Sequence, residues 1–386
     1  MSSFTHVKLP GASGIRSLEL SAPAKLVTSA LTPTSRNVYA AGHVVADALQ
    51  ASPGDPTVID WDATMAVRES LWDLGLGVAE SMDTAQRGMG LDATTAIELG
   101  KRSVRRAAER GSQVVVGISS DQVEPGSLTL AGIADAYIEQ LEEIEGAGGT
   151  VVMMASRELA KVAHDRDDYL QVYGRVLSRA TRPVVLHWLG TMFDQELKGY
   201  WGADHFDAAA DTVVALMQEH RDSIAGIKLS LLDAFKEVTL RNRLPEGVRL
   251  FTGDDFNYPE LIAGDESGHS DALLGAFAAV PRFASAAFAR LDKGDISGFR
   301  EILDSTVPLS RLIFEAPTKY YKVGVVWLSY LTGGQSHFKM VAGYESGRSL
   351  EHLVQVFEEA NRIGLFADPD FAADRASGYF QGIGVL

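Results

Sequence analysis

A chain of 386 residues can bury the core of one large domain or of two ordinary ones, and 46% apolar with 22% charged residues is the balance of a folded globular protein. The formal charge of −16 argues against a general nucleic-acid-binding role, which needs a basic footprint, and the absence of cysteine removes disulfides, thiolate metal sites and a cysteine nucleophile. No run approaches the ~20 apolar residues of a membrane span, and the start Met1–Lys8 lacks the apolar core of a secretory signal, so a cytoplasmic protein with no membrane partner is expected.

Residues 1–36 scatter Pro, Gly, Ser and Thr among short apolar pieces such as Leu18-Glu19-Leu20 and read as an N-terminal extension, with a small β element packed on the body. A rhythm then begins. Val38–Val45 reads as a strand, followed by a helix to Leu74 capped by Asp60 or Asp62. Leu76–Glu80 is a second strand, and Asp92 caps a helix to Arg110. Gln113–Ser119, Thr150–Met154, Pro183–Trp188 and Ile224–Ser230 continue as strands, separated by helices at 130–145, 167–180 and 204–220. Val248–Phe251 is the seventh strand, and the eighth lies near Ser270–Leu274, where the pattern is weakest. Apolar strands alternating with amphipathic helices mark a parallel sheet covered on both faces. Eight units predict a (β/α)8 TIM barrel over residues 37–280, with an open doubly wound sheet as the competing arrangement. From Pro281 onward strands vanish, and helices at 283–291, 296–314, 322–331 and 350–363 predict a C-terminal helical region, 281–386, packed on the barrel.

The sixth strand carries the chemistry. Alternate side chains face opposite ways, so Ile227 and Leu229 pack outward while Gly226, Lys228 and Ser230 share the other face. A lysine at the exit of a buried strand is placed to be a desolvated amine, and a neutral amine attacks a carbonyl to form a Schiff base. The bland alternative is a lysine that snorkels its charge out of the strand end.

Gly226-Ile227-Lys228 resembles the strand-six motif that carries the Schiff-base lysine of the dihydrodipicolinate synthase and N-acetylneuraminate lyase superfamily. Thr252-Gly253-Asp254-Asp255 resembles its Ser-Gly-Asp-Asp segment, and Pro183–Gly190 resembles its strand-five Pro-Ile-Ile-Leu-Tyr-Asn-Val-Pro. Asp292–Asp295 and Val307–Phe314 are similar to its three-helix C-terminal region, so the likeness runs piecewise from about residue 60 to 365. Each motif is weak alone, and their shared order is what makes the set specific. Two departures bear on chemistry. The family's proton-relaying tyrosine falls on His187, and its strand-two hydroxyl motif, which holds a substrate carboxylate, is replaced by Gly77-Val78-Ala79-Glu80-Ser81. The arginine that helps some synthases bind a second substrate has no counterpart in 188–196.

Strand C-termini of a barrel converge on one mouth. His43, Glu80, Ser81, Ser119, Asp121, His187, Lys228, Asp254 and Asp255 all end strands or begin the following loops. The expected catalytic set is Lys228 as nucleophile, His187 as acid/base and Glu80 as hydroxyl binder or second base, against a structural salt bridge for Glu80. Ser81, Ser119, Asp121, Asp254, Asp255 and His43 are the candidate substrate contacts, the two aspartates being as well suited to loop scaffolding. The resemblance implies a lyase or aldolase, cleaving a C–C bond or dehydrating a keto substrate, with no cofactor and no metal. An ionised Glu80 in place of hydroxyl donors favours a neutral or polyhydroxylated keto sugar over pyruvate. A metal-dependent sugar isomerase, holding a cation through His, Glu and Asp from neighbouring strands, and a catalytically retired binding barrel are the rival classes. Gly146–Gly149 precedes its strand and so lacks the place of a dinucleotide loop; no Gly-x-Ser-x-Gly elbow or P-loop occurs. The aromatic residues Phe314, Tyr320, Tyr321, Trp327 and Tyr330 exceed what one barrel coat needs and point to a homo-oligomer, a dimer or tetramer.

Overall fold

The computed structural model describes residues 6–52, 58–124 and 128–386; the first five residues of the N-terminal extension lie outside it. A hairpin of β1 (His6–Leu9) and β2 (Arg16–Glu19) opens the chain. The barrel follows as β3 (Val38–Ala41), α1 (Trp61–Trp72), β4 (Gly77–Glu80), α2 (Ala93–Arg110), β5 (Val114–Ile118), α3 (Leu130–Gly146) and β6 (Val151–Met153). It continues through α4 (Arg157–Val162), α5 (Arg166–Leu177), β7 (Val184–Leu189), α6 (Phe206–Glu219), β8 (Ile224–Ser230), α7 (Ala234–Arg241), β9 (Arg249–Thr252), α8 (Tyr258–Ala263) and β10 (Asp271–Leu274). All eight strands from β3 to β10 are parallel, each pairs with the next, and β10 returns to β3 to close the barrel. The (β/α)8 expectation holds, and the open sheet is excluded.

Local sequence sets the element boundaries. Asp60, not Asp62, caps α1 by accepting from the Ala63 amide at 2.9 Å, and Asp92 caps α2 through the Thr95 amide at 2.8 Å. Ser156, Asp165 and Asp233 cap α4, α5 and α7 in the same way, each satisfying amides that the helix itself leaves open. The barrel interior is filled by Ala41, Ala79, Val115, Val152, Val185, Phe251 and Leu273, one inward residue from most strands. Residues alternating with these, such as Val78, Leu186 and Ile227, pack outward against the helices, which is why the strands read as nearly continuous apolar runs. Where β8 begins, Ala225 is an extra residue against β7, so that Val185 faces Gly226, His187 faces Lys228 and Leu189 faces Ser230.

After β10 come α9 (Ala276–Ala279), α10 (Pro281–Leu291), α11 (Ile296–Asp304), α12 (Val307–Ile313), α13 (Tyr321–Thr332), α14 (Leu350–Arg362) and α15 (Pro369–Gly382). The single helix expected over 296–314 is two, separated at Ser305–Thr306, and Pro308 takes the first turn of α12, where its missing N–H costs nothing. Short α4 and the terminal α15 were not legible as helices. Trp327 of α13 is fully buried at the centre of this region and donates its indole N–H to the Leu353 carbonyl at 3.0 Å. Phe314 and Tyr321 are buried too, so the aromatic residues that suggested an oligomer are largely consumed within one chain. The extension straps the helical region: the Ser29 amide donates to Ser285, and the Thr34 and Ser35 amides donate to Asp292. Among the described residues, no helix is long and apolar enough to cross a membrane.

Candidate active site

Lys228 points into the barrel from β8, and its side chain is surrounded by gaps in the sequence rather than by chance space. A Cβ on Gly253 would lie 2.2 Å from Ser230 Oγ and 2.9 Å from Lys228 Cε, and one on Gly226 would lie 2.8 Å from the Phe251 ring. Gly253 is therefore bare so that Ser230 and the lysine fit, whereas Gly226 is bare because the Arg249 carbonyl, 2.5 Å from such a Cβ, and the Phe251 ring lie against it. Lys228 is 8% exposed and forms no ion pair among the described residues. Burial lowers its pKa, while Asp83 and, less strongly, Asp255 pull it back up.

His187 sits directly across the β7–β8 ladder from Lys228. Its Nε2 lies 3.2 Å from Ser230 Oγ, and its buried Nδ1 has no hydrogen-bond partner among the described residues. Burial, reinforced by the neighbouring Lys228, holds the imidazole well below its ordinary pKa, so it is neutral at rest. Asp255 follows β9 and accepts from the Ala276 amide at 2.9 Å; burial pushes its carboxyl up to about 7, against the pull of that amide and of Lys228. A buried amine, a neutral imidazole and a carboxyl raised to about 7 thus lie within electrostatic reach of one another around one strand end, the amine acting on both of the others.

Ser119 and Asp121 come to the same mouth. With Asp83, Arg87, Arg157, Glu158 and His187 they line an inner cavity beyond the C-termini of β5, β6 and β7. Asp121 is bidentate to Arg87 at 2.7 and 2.8 Å, and Arg87 also donates to the Gly117 carbonyl at 2.7 Å. Burial would raise the Asp121 carboxyl, but Arg87 and Gln140 outweigh it and keep the group ionised. Asp83, Arg87, Arg157, Leu189 and Asp194 continue into an outer cleft of about 670 Å³, whose far wall is the turn before α13.

Four expected site residues lie elsewhere. Glu80 points out of the barrel, not into it: Gly77 and Ala79 take the inward positions of β4, so strand alternation turns Glu80 toward α1 and α2. There its carboxylate is bidentate to Arg68 at 2.7 and 2.8 Å and accepts from Ser103 at 2.5 Å and from the Ser81 amide at 2.7 Å, with both Glu80 and Arg68 fully buried. This is a structural pair, and it removes the argument that Glu80 repels a substrate carboxylate. Ser81 likewise donates outward, to the Ala96 carbonyl at 2.6 Å. His43 leaves the mouth for the contact with the C-terminal region, where its Nε2 meets Gln335 Oε1 at 2.8 Å. Asp254 is a turn cap, taking the Phe256 and Asn257 amides and the Asn257 side chain. Among the described residues, no three His, Asp or Glu side chains are grouped to hold a metal ion.

Sequence reasoning missed Asp83, Arg87, Arg157, Asp194 and Lys322. Asp83, Arg87 and Asp194 lie in the connections after β4 and β7, and Arg157 opens α4 just after β6, the right end of a barrel for function; that position was the available signal. Lys322 had none, because it belongs to a helix outside the barrel. Its neighbour Tyr321 reaches the mouth and shares a 2.7 Å hydrogen bond with Thr84, and a Cβ on Gly275 would lie 3.1 Å from both Phe314 and Tyr321. The helical region therefore roofs one side of the mouth.

This arrangement defines a parallel (β/α)8 barrel with a buried inward lysine on the sixth barrel strand and a helical roof. Solved structures of the same fold include dihydrodipicolinate synthases from Aquifex aeolicus (15% identity, TM-score 0.65, covering 86% of this chain and 98% of that one) and from Oceanobacillus iheyensis (14%, 0.64, 85% and 96%). A putative dihydrodipicolinate synthetase from Pseudomonas aeruginosa is similar at 16% identity, with a TM-score of 0.64 and 86% and 99% covered. At these identities the likeness is one of fold. The chain itself belongs to the family described as "Protein of unknown function (DUF993)", whose model matches residues 7–385. No curated protein matches the sequence.

Proposed function

We propose that this chain is a Schiff-base-forming lyase of the aldolase type, acting on a polyhydroxylated keto sugar or sugar acid, with Lys228 as the nucleophile. The observation that carries the reading is Lys228 itself: a buried amine without an ion-pair partner among the described residues, in space left open by Gly253, one strand from a neutral imidazole. The neutral amine adds to the substrate ketone, the carbinolamine loses water, and the protonated imine becomes an electron sink. His187 accepts the proton of a substrate hydroxyl as the adjacent C–C bond breaks and its electron pair flows into the imine. The resulting enamine is protonated at carbon, and water releases the product from Lys228. Asp255, with its carboxyl near 7, is the second proton carrier. Removal of a proton, in place of a carbon fragment, next to the imine gives an enamine that expels a β-hydroxyl as water, which is dehydration instead of cleavage. Ionic side chains in the inner cavity, Asp83 and Arg87 among them, suit a substrate bearing several hydroxyls.

The test is reduction with borohydride in the presence of keto sugars, their 2-oxo acids and pyruvate, followed by peptide mapping. A covalent mass on the Lys228 peptide, lost together with turnover in Lys228→Ala, is expected. Turnover that survives this substitution sinks the proposal.

A further inference from the structure

The outer cleft ends on a second buried amine. Lys322, in the first turn of α13, lines that cleft and is 4% exposed. Its Nζ donates to the Lys319 carbonyl at 3.0 Å and touches Met89 Sδ at 3.5 Å, a weak acceptor, and it has no carboxylate partner among the described residues. The position is unfavourable for a cation on three counts. It is desolvated, it sits at the positive end of a helix dipole, and Arg157 and Lys319 add like charge, although the carboxylates of Asp83 and Asp194 draw the amine part of the way back up. The N-terminus of α13 also lacks a side-chain cap. Other charges in the cleft are taken up: Arg157 by Asp194, Glu196 by Lys161 and Arg87 by Asp121. Asp83 alone among the acids there forms no ion pair among the described residues, and it lies on the stretch common to both cavities, toward His187.

We propose that the outer end of the cleft is a subsite for an anionic group of the substrate, a carboxylate or a phosphate ester, held by Lys322 and Lys319 of the helical region. An anion there relieves the like charges, meets the helix dipole and supplies the acceptors that Lys322 lacks. Asp83, midway along the continuous lining, then faces the hydroxyl-bearing carbons between this anion and the keto carbon at Lys228. The direction of the substrate rests on the Schiff-base reading of Lys228; the anion site does not.

Calorimetric titration of the full chain with inorganic phosphate and, separately, with succinate tests it. Binding of at least one anion is expected, weakened about tenfold or more in Lys322→Met, which corresponds to at least ~1.4 kcal/mol. Lys322→Arg restores part of the affinity, Lys319→Gln weakens it about threefold, and Lys228→Met leaves it unchanged. Tighter phosphate assigns the group as a phosphate ester; tighter succinate assigns it as a carboxylate. Failure of both anions to bind wild type overturns the proposal, as does wild-type affinity in a cooperatively melting Lys322→Met, or an equal loss in Lys228→Met, which would seat the anion at the wrong amine. Failure of borohydride trapping with Lys322-dependent binding intact overturns only the role of Lys228.

Discussion

Replacing Lys322 with methionine should remove a pH-dependent cost from the unliganded protein. Burial lowers the Lys322 amine from 10.5 to about 8 in the folded state, although Asp83 draws it up. The sign follows from proton counting: between these two values the unfolded chain binds a proton that the folded chain has released, so wild-type stability rises with pH across that interval. Below pH 8 the penalty is fully present, about 3 kcal/mol from a difference of about 2.5 units at ~1.36 kcal/mol each. By pH 9.5 it has fallen to about 1.4 kcal/mol, a change of about 2 kcal/mol. With ~2.1 cal/mol/K per residue over 386 residues, unfolding entropy is about 0.8 kcal/mol/K, so this change is worth about 2–3 °C in Tm. Methionine also gives up the bond to Lys319, which a neutral amine still makes, and the cation–π contact with Tyr321 at 4.6 Å, whose dependence on protonation is already contained in the folded-state value of about 8. The measurement is Tm of both proteins by calorimetry from pH 7 to 9.5 in an anion-poor buffer. The difference, variant minus wild type, should shrink by that amount as pH rises. A constant or growing difference would refute the argument that Lys322 is a desolvated amine.

Three further outcomes follow from the geometry. Gly253→Ala, at a position with no left-handed φ, adds a methyl 2.2 Å from Ser230 Oγ and 2.9 Å from Lys228 Cε and should cost about 1–3 kcal/mol of stability, with a loss of about a hundredfold in borohydride trapping from displacement of the amine; wild-type trapping would show that the lysine does not need this space. Glu80→Ala should destabilise by about 3–5 kcal/mol by leaving Arg68 buried and unpaired, read by urea unfolding, and folded protein retaining activity at low temperature separates this from a catalytic role. Removing a negative charge near Lys228 lowers its pKa further, so the rate of its reductive methylation by formaldehyde and cyanoborohydride at pH 7–8 should rise in Asp83→Asn and, less, in Asp255→Asn; a fall in both would mean that neither carboxylate acts on the amine.

The barrel and the place of Lys228 and His187 were written in the sequence. Parallel strands buried on both faces give apolar runs, helices between them carry their own caps at Asp60 and Asp92, and period-two alternation fixes which side of Ile224–Ser230 the lysine takes. The same alternation failed at β4, because a short strand buried on both faces gives no phase of its own. Only the narrow barrel interior, which seats Gly77 and Ala79 inward, turned Glu80 out to an arginine on the preceding helix. Of the aromatic residues read as an oligomer surface, Phe314, Tyr321 and Trp327 are taken up by helix packing that composition cannot foresee, while Tyr320 and Tyr330 stay half-buried. Lys322 lies beyond reach of any local pattern: a lysine in the first turn of a helix looks like a solvated charge, and its burial at the mouth exists only because the helical region folds back over the barrel, where Thr84 meets Tyr321 and Gly275 leaves room for both rings.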